Sequence, residues 1–136
     1  MRRPKPAEVR AALWAVGAHR AARRQLATGP IYRVVLSHPR RIPASGRAGA
    51  TAVLARLRST CLTRALVLQT WDAAHDAPRD LVIGVTAPHE GFAAHAWLDG
   101  DRPAVSRHYS ELLRLPPARS SRGRPRSPAA LDATDR

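Results

Sequence analysis

From Pro6 onward apolar residues recur at helical spacing. Val9, Leu13, Val16 and Leu26 make a stripe beside Arg10, Arg20 and Arg24, and Pro6 suits a first turn. This pattern predicts a helix that ends near Thr28, Gly29 and Pro30. The next run, Ile31-Tyr32-Arg33-Val34-Val35-Leu36, is β-branched and aromatic, so it reads as a short strand, although a second helix fits its length equally well. His38-Pro39-Arg40-Arg41-Ile42-Pro43 reads as an extended connector, because each proline disfavours the helical region in the residue before it. Helical spacing resumes over 48–58 with Val53, Leu54 and Leu57. Ser59-Thr60 then offers a cap for a new helix starting at Cys61. That helix, 61–75, carries Leu62, Ala65, Leu66, Leu68 and Trp71 around most of its circumference, which predicts the central buried helix.

Residues 80–86, Asp-Leu-Val-Ile-Gly-Val-Thr, form the clearest strand, and 92–98 alternate as a second one. Asp99-Gly100 is a hairpin turn signal leading toward a short third strand near Ala104-Val105. Residues 107–115 read as a closing helix or an irregular segment, and Pro116-Pro117 ends the fold. Helices first and an antiparallel meander after them predict an α+β domain. The chain divides into a helical segment with its connector (1–44), a core (45–117) and a Pro, Ser and Arg-rich tail (118–136) that is expected to be disordered.

Length and composition narrow the role. At 136 residues the chain has room for one small domain, and with 4% aromatics the core must be mostly aliphatic. No apolar run is long enough to cross a bilayer. The basic start, Met1-Arg2-Arg3-Pro4-Lys5, imitates a signal peptide, but the apolar stretch after it is short and has no convincing cleavage site. One cysteine permits no internal disulfide and no multi-thiolate metal site, so a reducing cytoplasm is the expected compartment, and no cofactor or metal is expected. The net charge of +13 raises the question of nucleic acid. Nearly all of it is arginine, much of it at the two ends, where no aromatics are interleaved for stacking bases, so nucleic acid is not the expected partner. A basic first helix could instead meet an acidic peptide or simply face solvent.

Candidate chemistry centres on Cys61. At a helix N-terminus, unpaired backbone N–H groups and the helix dipole favour a thiolate. A histidine within reach would take the thiol proton and later return it to a leaving amine. His95, in the middle of the second strand, suits that role if the helix lies on the face to which alternate strand residues point. His19, His38, His75, His89 and His108 fall in the first helix, in connectors or in turns, and suit it less well. A buried cysteine and a core histidine remain the bland alternative. Trp71 and Trp97 read first as core aromatics, yet Trp97 shares a strand face with His95 and could line a substrate groove.

Three stretches taken together carry a resemblance. They are Cys61-Leu62-Thr63-Arg64-Ala65-Leu66-Val67-Leu68, Leu81-Val82-Ile83-Gly84-Val85 and Phe92-Ala93-Ala94-His95-Ala96-Trp97-Leu98. In this order they resemble the transglutaminase-like leader peptidases of lasso-peptide biosynthesis, in the stand-alone form of the peptidase, with the strong match over residues 60–100. The resemblance implies a papain and transglutaminase-like cysteine peptidase core in which Cys61 attacks a peptide bond of a ribosomally made precursor. His95 would act as base and then acid, and water would resolve the acyl-enzyme. It also implies partners: the leader region of the precursor, a small leader-recognition protein and an ATP-dependent cyclase resembling asparagine synthetase.

One departure stands out. The family places an Asp about a dozen residues after the histidine, where this chain reads Val105-Ser106-Arg107-His108. Asp99 would lie roughly 13 Å along the strand from His95 at ~3.3 Å per residue, and Asp101 sits in the turn. Glu111 could fold back, Ser106 or a backbone carbonyl could orient the ring, or a Cys–His dyad could suffice. Acyl transfer to an amine would use the same residues. A noncatalytic basic adaptor binding peptide or nucleic acid is the alternative function.

Overall fold

Helix α1 spans Pro6–Thr28 in a computed structural model that describes residues 2–87, 89, 91–101 and 109–118. Pro6 sits in its first turn, and the Glu8 carboxylate accepts a 2.8 Å hydrogen bond from the Lys5 backbone N–H, so one otherwise orphaned donor is satisfied. The face that α1 buries is not the predicted stripe. Ala11, Ala15, Ala18, His19 and Ala22 are buried, whereas Val9 and Leu13 are 44% and 69% exposed. The reason is the close approach of α2 (Arg47–Arg56), whose Gly49 has no side chain. A Cβ at Gly49 would lie 2.0 Å from the Glu8 carbonyl oxygen, so the two backbones come too close there for any side chain at that position.

The predicted strand or helix over 31–36 is a single 3-10 turn, Ile31–Arg33, followed by extended backbone. Side chains tether that connector to the helices. Gln25 exchanges two hydrogen bonds with the Val35 backbone, each 2.9 Å, Trp14 Nε1 donates to the Ser37 carbonyl at 3.0 Å, and Arg10 donates to the Arg41 carbonyl at 2.7 Å.

Helix α3 (Cys61–Ala74) is the central buried helix, as its pattern predicts. Thr60 caps it by accepting from the Thr63 N–H at 3.2 Å. Val67, Leu68 and Trp71 are buried, with Trp71 tilted against Trp14 at 5.4 Å and stacked on His75 at 4.3 Å. The His75 ring bridges the carbonyl oxygens of Trp71 and Ile42 at 2.7 Å each, which fixes the connector to the end of α3. Asp72, 5% exposed, is held by Arg47 from α2 at 2.8 and 3.1 Å and by Arg79 at 3.2 Å.

The segment entering α3 is anchored from behind. Ser59 Oγ and His19 Nδ1 share a buried hydrogen bond of 2.8 Å, which joins α1 to the residue just before the α3 cap. Burial first, and then the charges of Arg23 and Arg20, push the His19 pKa below its ordinary value. The unfolded chain therefore binds a proton at a higher pH than the folded chain does. The His19 contribution is complete above about pH 6.5 and fades as the pH falls toward the folded value. Melting temperatures measured between about pH 7.5 and 5.5 should fall in the wild type and fall less in His19→Gln.

Three strands, β1 (Leu81–Thr86), β2 (Ala94–Leu98) and β3 (Tyr109–Leu115), form one antiparallel sheet in the order β2-β1-β3. Within the described residues β1 lies in the centre, and β3 pairs with β1. β3 replaces the helix or irregular segment expected over 107–115, at least for its described part. The misreading has a physical source. A bulge between the pairs Ile83↔Leu113 and Gly84↔Glu111 leaves Leu112 as an extra residue, and this breaks the period of two that marks a strand. The strand expected near Ala104-Val105 and the tail beyond Ala118 lie outside the described residues.

Leu81, Ile83, Ala96, Leu98 and Leu115 point toward the helices and join the common core. Val82, Gly84, His95 and Trp97 therefore occupy the opposite face, with Val82↔Trp97 and Gly84↔His95 in register. The result is an α+β fold of three helices packed against a small antiparallel sheet.

Candidate active site

Cys61 is the first residue of α3, one position after the Thr60 cap, so the free N–H groups and positive dipole end of a 14-residue helix surround its side chain. It is half-buried and, as the chain's single cysteine, makes no internal disulfide. β2, at the edge of the sheet among the described residues, packs against this helix. A cavity of about 160 Å³ opens between them, lined by Cys61, Arg64, Ala65 and Leu68 from α3 and by His95, Ala96, Trp97, Leu98 and Asp101. Cys61 and His95, the pair chosen from sequence, thus both belong to the lining of one cavity.

The route differs from the expected one. Alternation was expected to aim His95 at the buried helix, yet Ala96 and Leu98 are the β2 residues that do so. His95 lies on the other face, and β2, at the edge of the described sheet, contributes consecutive residues from both of its faces to the lining. Among the described residues His95 makes no side-chain hydrogen bond. Its ring contacts are Trp97 at 6.0 Å and Tyr109 at 5.6 Å.

Trp71, 1% exposed, is a core residue, whereas Trp97 borders the cavity. Asp99 donates no support to His95, because it is paired with Arg114 at 2.9 Å. Glu111 is held by the same Arg114 at 2.9 and 3.0 Å, and that hydrogen-bonded pair keeps its carboxyl below the ordinary range. Ser106, the other candidate for orienting the ring, lies outside the described residues, as does His108. His38 and His75 belong to the connector and the end of α3, and His19 is bound to Ser59.

Two cavity residues escaped the sequence reading. Arg64 lies three residues after Cys61, a spacing that puts both on one side of α3, and this signal was available. Asp101, paired with Arg79 at 2.9 Å, depends on the hairpin geometry and carries no sequence signal. Among the described residues, no cluster of three or more His, Cys, Asp or Glu side chains could hold a metal ion, and no helix is long and apolar enough to cross a membrane. A larger cleft of about 1570 Å³ lies on the other side of α3, between the connector and the end of β3. Its described lining contains His38 but no thiol.

Comparison with known families matches residues 6–117 to the Transglutaminase-like superfamily. The chain belongs to this superfamily. The match begins at the first residue of α1 and ends just after β3, so it takes in α1 together with α2, α3 and the sheet. Comparisons with curated proteins and with solved structures found no match. Transglutaminase-like proteins include cysteine peptidases and transferases.

Proposed function

We propose that this transglutaminase-like chain is a cysteine peptidase that removes the leader from a ribosomally made precursor, of the kind used in lasso-peptide biosynthesis. The observation that carries the reading is the shared cavity of Cys61 and His95, with Cys61 at the α3 N-terminus. In this reading His95 takes the proton of Cys61, and the thiolate attacks the carbonyl carbon of the scissile bond. The oxyanion is met by the free N–H groups at the helix start. His95 then returns the proton to the departing core amine, leaving the leader as a thioester on Cys61. Water, deprotonated by His95, releases the leader acid and restores the thiol. The cavity is small and open, with room for the groups around one bond. Recognition of a long leader therefore falls to a separate small protein, and the freed core amine passes to an ATP-dependent cyclase. The cytoplasm, where such precursors are made, is the proposed site of action.

The test needs no substrate. Cys61 alkylation by iodoacetamide is followed from pH 4 to 9 in the wild type and in His95→Ala. A free thiol ionises near ~8.5, whereas a histidine-paired one reacts at acid pH. Fast labelling of the folded wild type near pH 6, lost in His95→Ala, is the expected result. Labelling that is equally slow in both proteins until they unfold would make Cys61 a packing residue and remove the peptidase reading.

A further inference from the structure

A triad normally gives its histidine a carboxylate partner, and here the nearby carboxylates are engaged elsewhere. Glu111 and Asp99 are bound by Arg114, and Asp101 by Arg79. Glu111 is in register with Gly84, which is in register with His95, so two strand spacings, roughly 10 Å, separate their backbones. The space between them is filled. A Cβ at Gly84 would lie 2.7 and 3.0 Å from Trp97 Cη2 and Cζ3 and 3.0 Å from the Tyr109 Cβ. The Trp97 ring therefore lies over Gly84, and Tyr109 closes the same spot from β3.

The three rings form a closed cluster. His95 is stacked with Trp97 at an interplanar angle of 22° and tilted to Tyr109 at 39°, while Trp97 and Tyr109 are 6.4 Å apart. Such contacts restrict both torsions of the imidazole. The π faces are also electron-rich, so they favour a neighbour that becomes cationic on taking a proton.

We propose that Trp97 and Tyr109 are the positioning residues for His95, seated by the absence of a side chain at Gly84, and that they take the place of the carboxylate in a triad. The inference rests on reading Cys61 and His95 as nucleophile and base. It adds the device that holds the base, built from all three strands. Tyr109 works through its ring, so its hydroxyl is dispensable.

The experiment compares full-length wild type with Tyr109→Phe, Tyr109→Leu, Gly84→Ala, Asp101→Asn and His95→Ala. Two quantities are read: the rate of Cys61 alkylation at pH 6 and at pH 9, and the NMR shifts of the His95 ring protons, with circular dichroism as a check of folding. Tyr109→Leu and Gly84→Ala, which alter different strands, should each slow labelling at pH 6 by about tenfold. At pH 9, where thiolate forms without help, they should leave it unchanged. The same two variants should move the His95 ring protons, which neighbouring aromatic rings displace in the wild type. Tyr109→Phe should match the wild type in every readout.

Wild-type labelling in both Tyr109→Leu and Gly84→Ala overturns the proposal. So does a loss in Tyr109→Phe equal to that in Tyr109→Leu, which would make the hydroxyl the partner. A tenfold loss confined to Asp101→Asn would transfer the role to that carboxylate. If wild type and His95→Ala label alike at every pH, the Cys–His reading itself has failed and this inference falls with it.

Discussion

Replacing Asp72 by alanine should lower the stability of the fold by about 3 kcal/mol, the low end for removing one partner from a buried ionic group. The low end applies because Arg47 and Arg79 each keep a solvent-facing side, with side-chain exposures of 37% and 24%. For a domain of this size that loss corresponds to a fall in melting temperature on the order of 10–15 °C, measurable by calorimetry or circular dichroism. Asp72 is the joint of three elements: it stands on α3, accepts from Arg47 of α2, and accepts from Arg79 just before β1. Its removal leaves two guanidiniums without their shared anion. Arg79 also holds Asp101 at the cavity edge, so the loss extends from the core to the site.

The same residue predicts an acid response. Burial by itself would raise the Asp72 carboxyl, but the hydrogen bonds and charges of Arg47 and Arg79 outweigh it and hold the group below its ordinary value. The folded form therefore gives up its proton more readily than the unfolded form. The stabilisation is complete above the unfolded value, near ~3.9, and is lost as the pH falls through the lower folded value. The stability difference between wild type and Asp72→Asn should accordingly be constant from neutrality to about pH 5 and shrink below about pH 4. A difference that stays constant down to about pH 2 would show that the guanidiniums do not perturb Asp72.

What the sequence made readable follows locality. The extent of α3 was readable because Thr60 is a capping residue and Cys61 to Trp71 carries a dense helical pattern. β1 was readable from its unbroken Leu-Val-Ile-Gly-Val-Thr run. The buried face of α1 was not, because helix packing here depends on which residues are small: Ala11, Ala15 and Ala18 are buried, while the larger Val9 and Leu13 stay outside. β3 was hidden by the bulge at Leu112, which puts Glu111 and Arg114 on one face and looks like helical spacing. At the site, the placement of Cys61 is a local property and could be read. The outward face of His95, the role of β2 as an edge, and Tyr109 beside the histidine all depend on strand order, which no local pattern specifies.

The largest expected effect concerns cleavage itself. With a precursor peptide and its recognition protein supplied, Cys61→Ala should abolish leader removal, followed by mass spectrometry, and His95→Ala should reduce it by ~10⁴-fold or more. The informative variant is the double one. Nucleophile and base act as a unit, since a thiol without its base is scarcely ionised at acid and neutral pH and a base without the thiol has no proton to take. The double substitution should therefore cost no more than Cys61→Ala alone, instead of the product of the two single losses. Losses that multiplied would place His95 in substrate binding and outside the proton transfer. Stability offers a control, because Cys61 is half-buried and the His95 ring makes no hydrogen bond among the described residues, only ring contacts with Trp97 and Tyr109. Both single variants should melt within a few degrees of the wild type, as small changes at partly exposed positions usually do. A catalytic loss without a loss of fold would then identify these two side chains as the chemistry of the cavity.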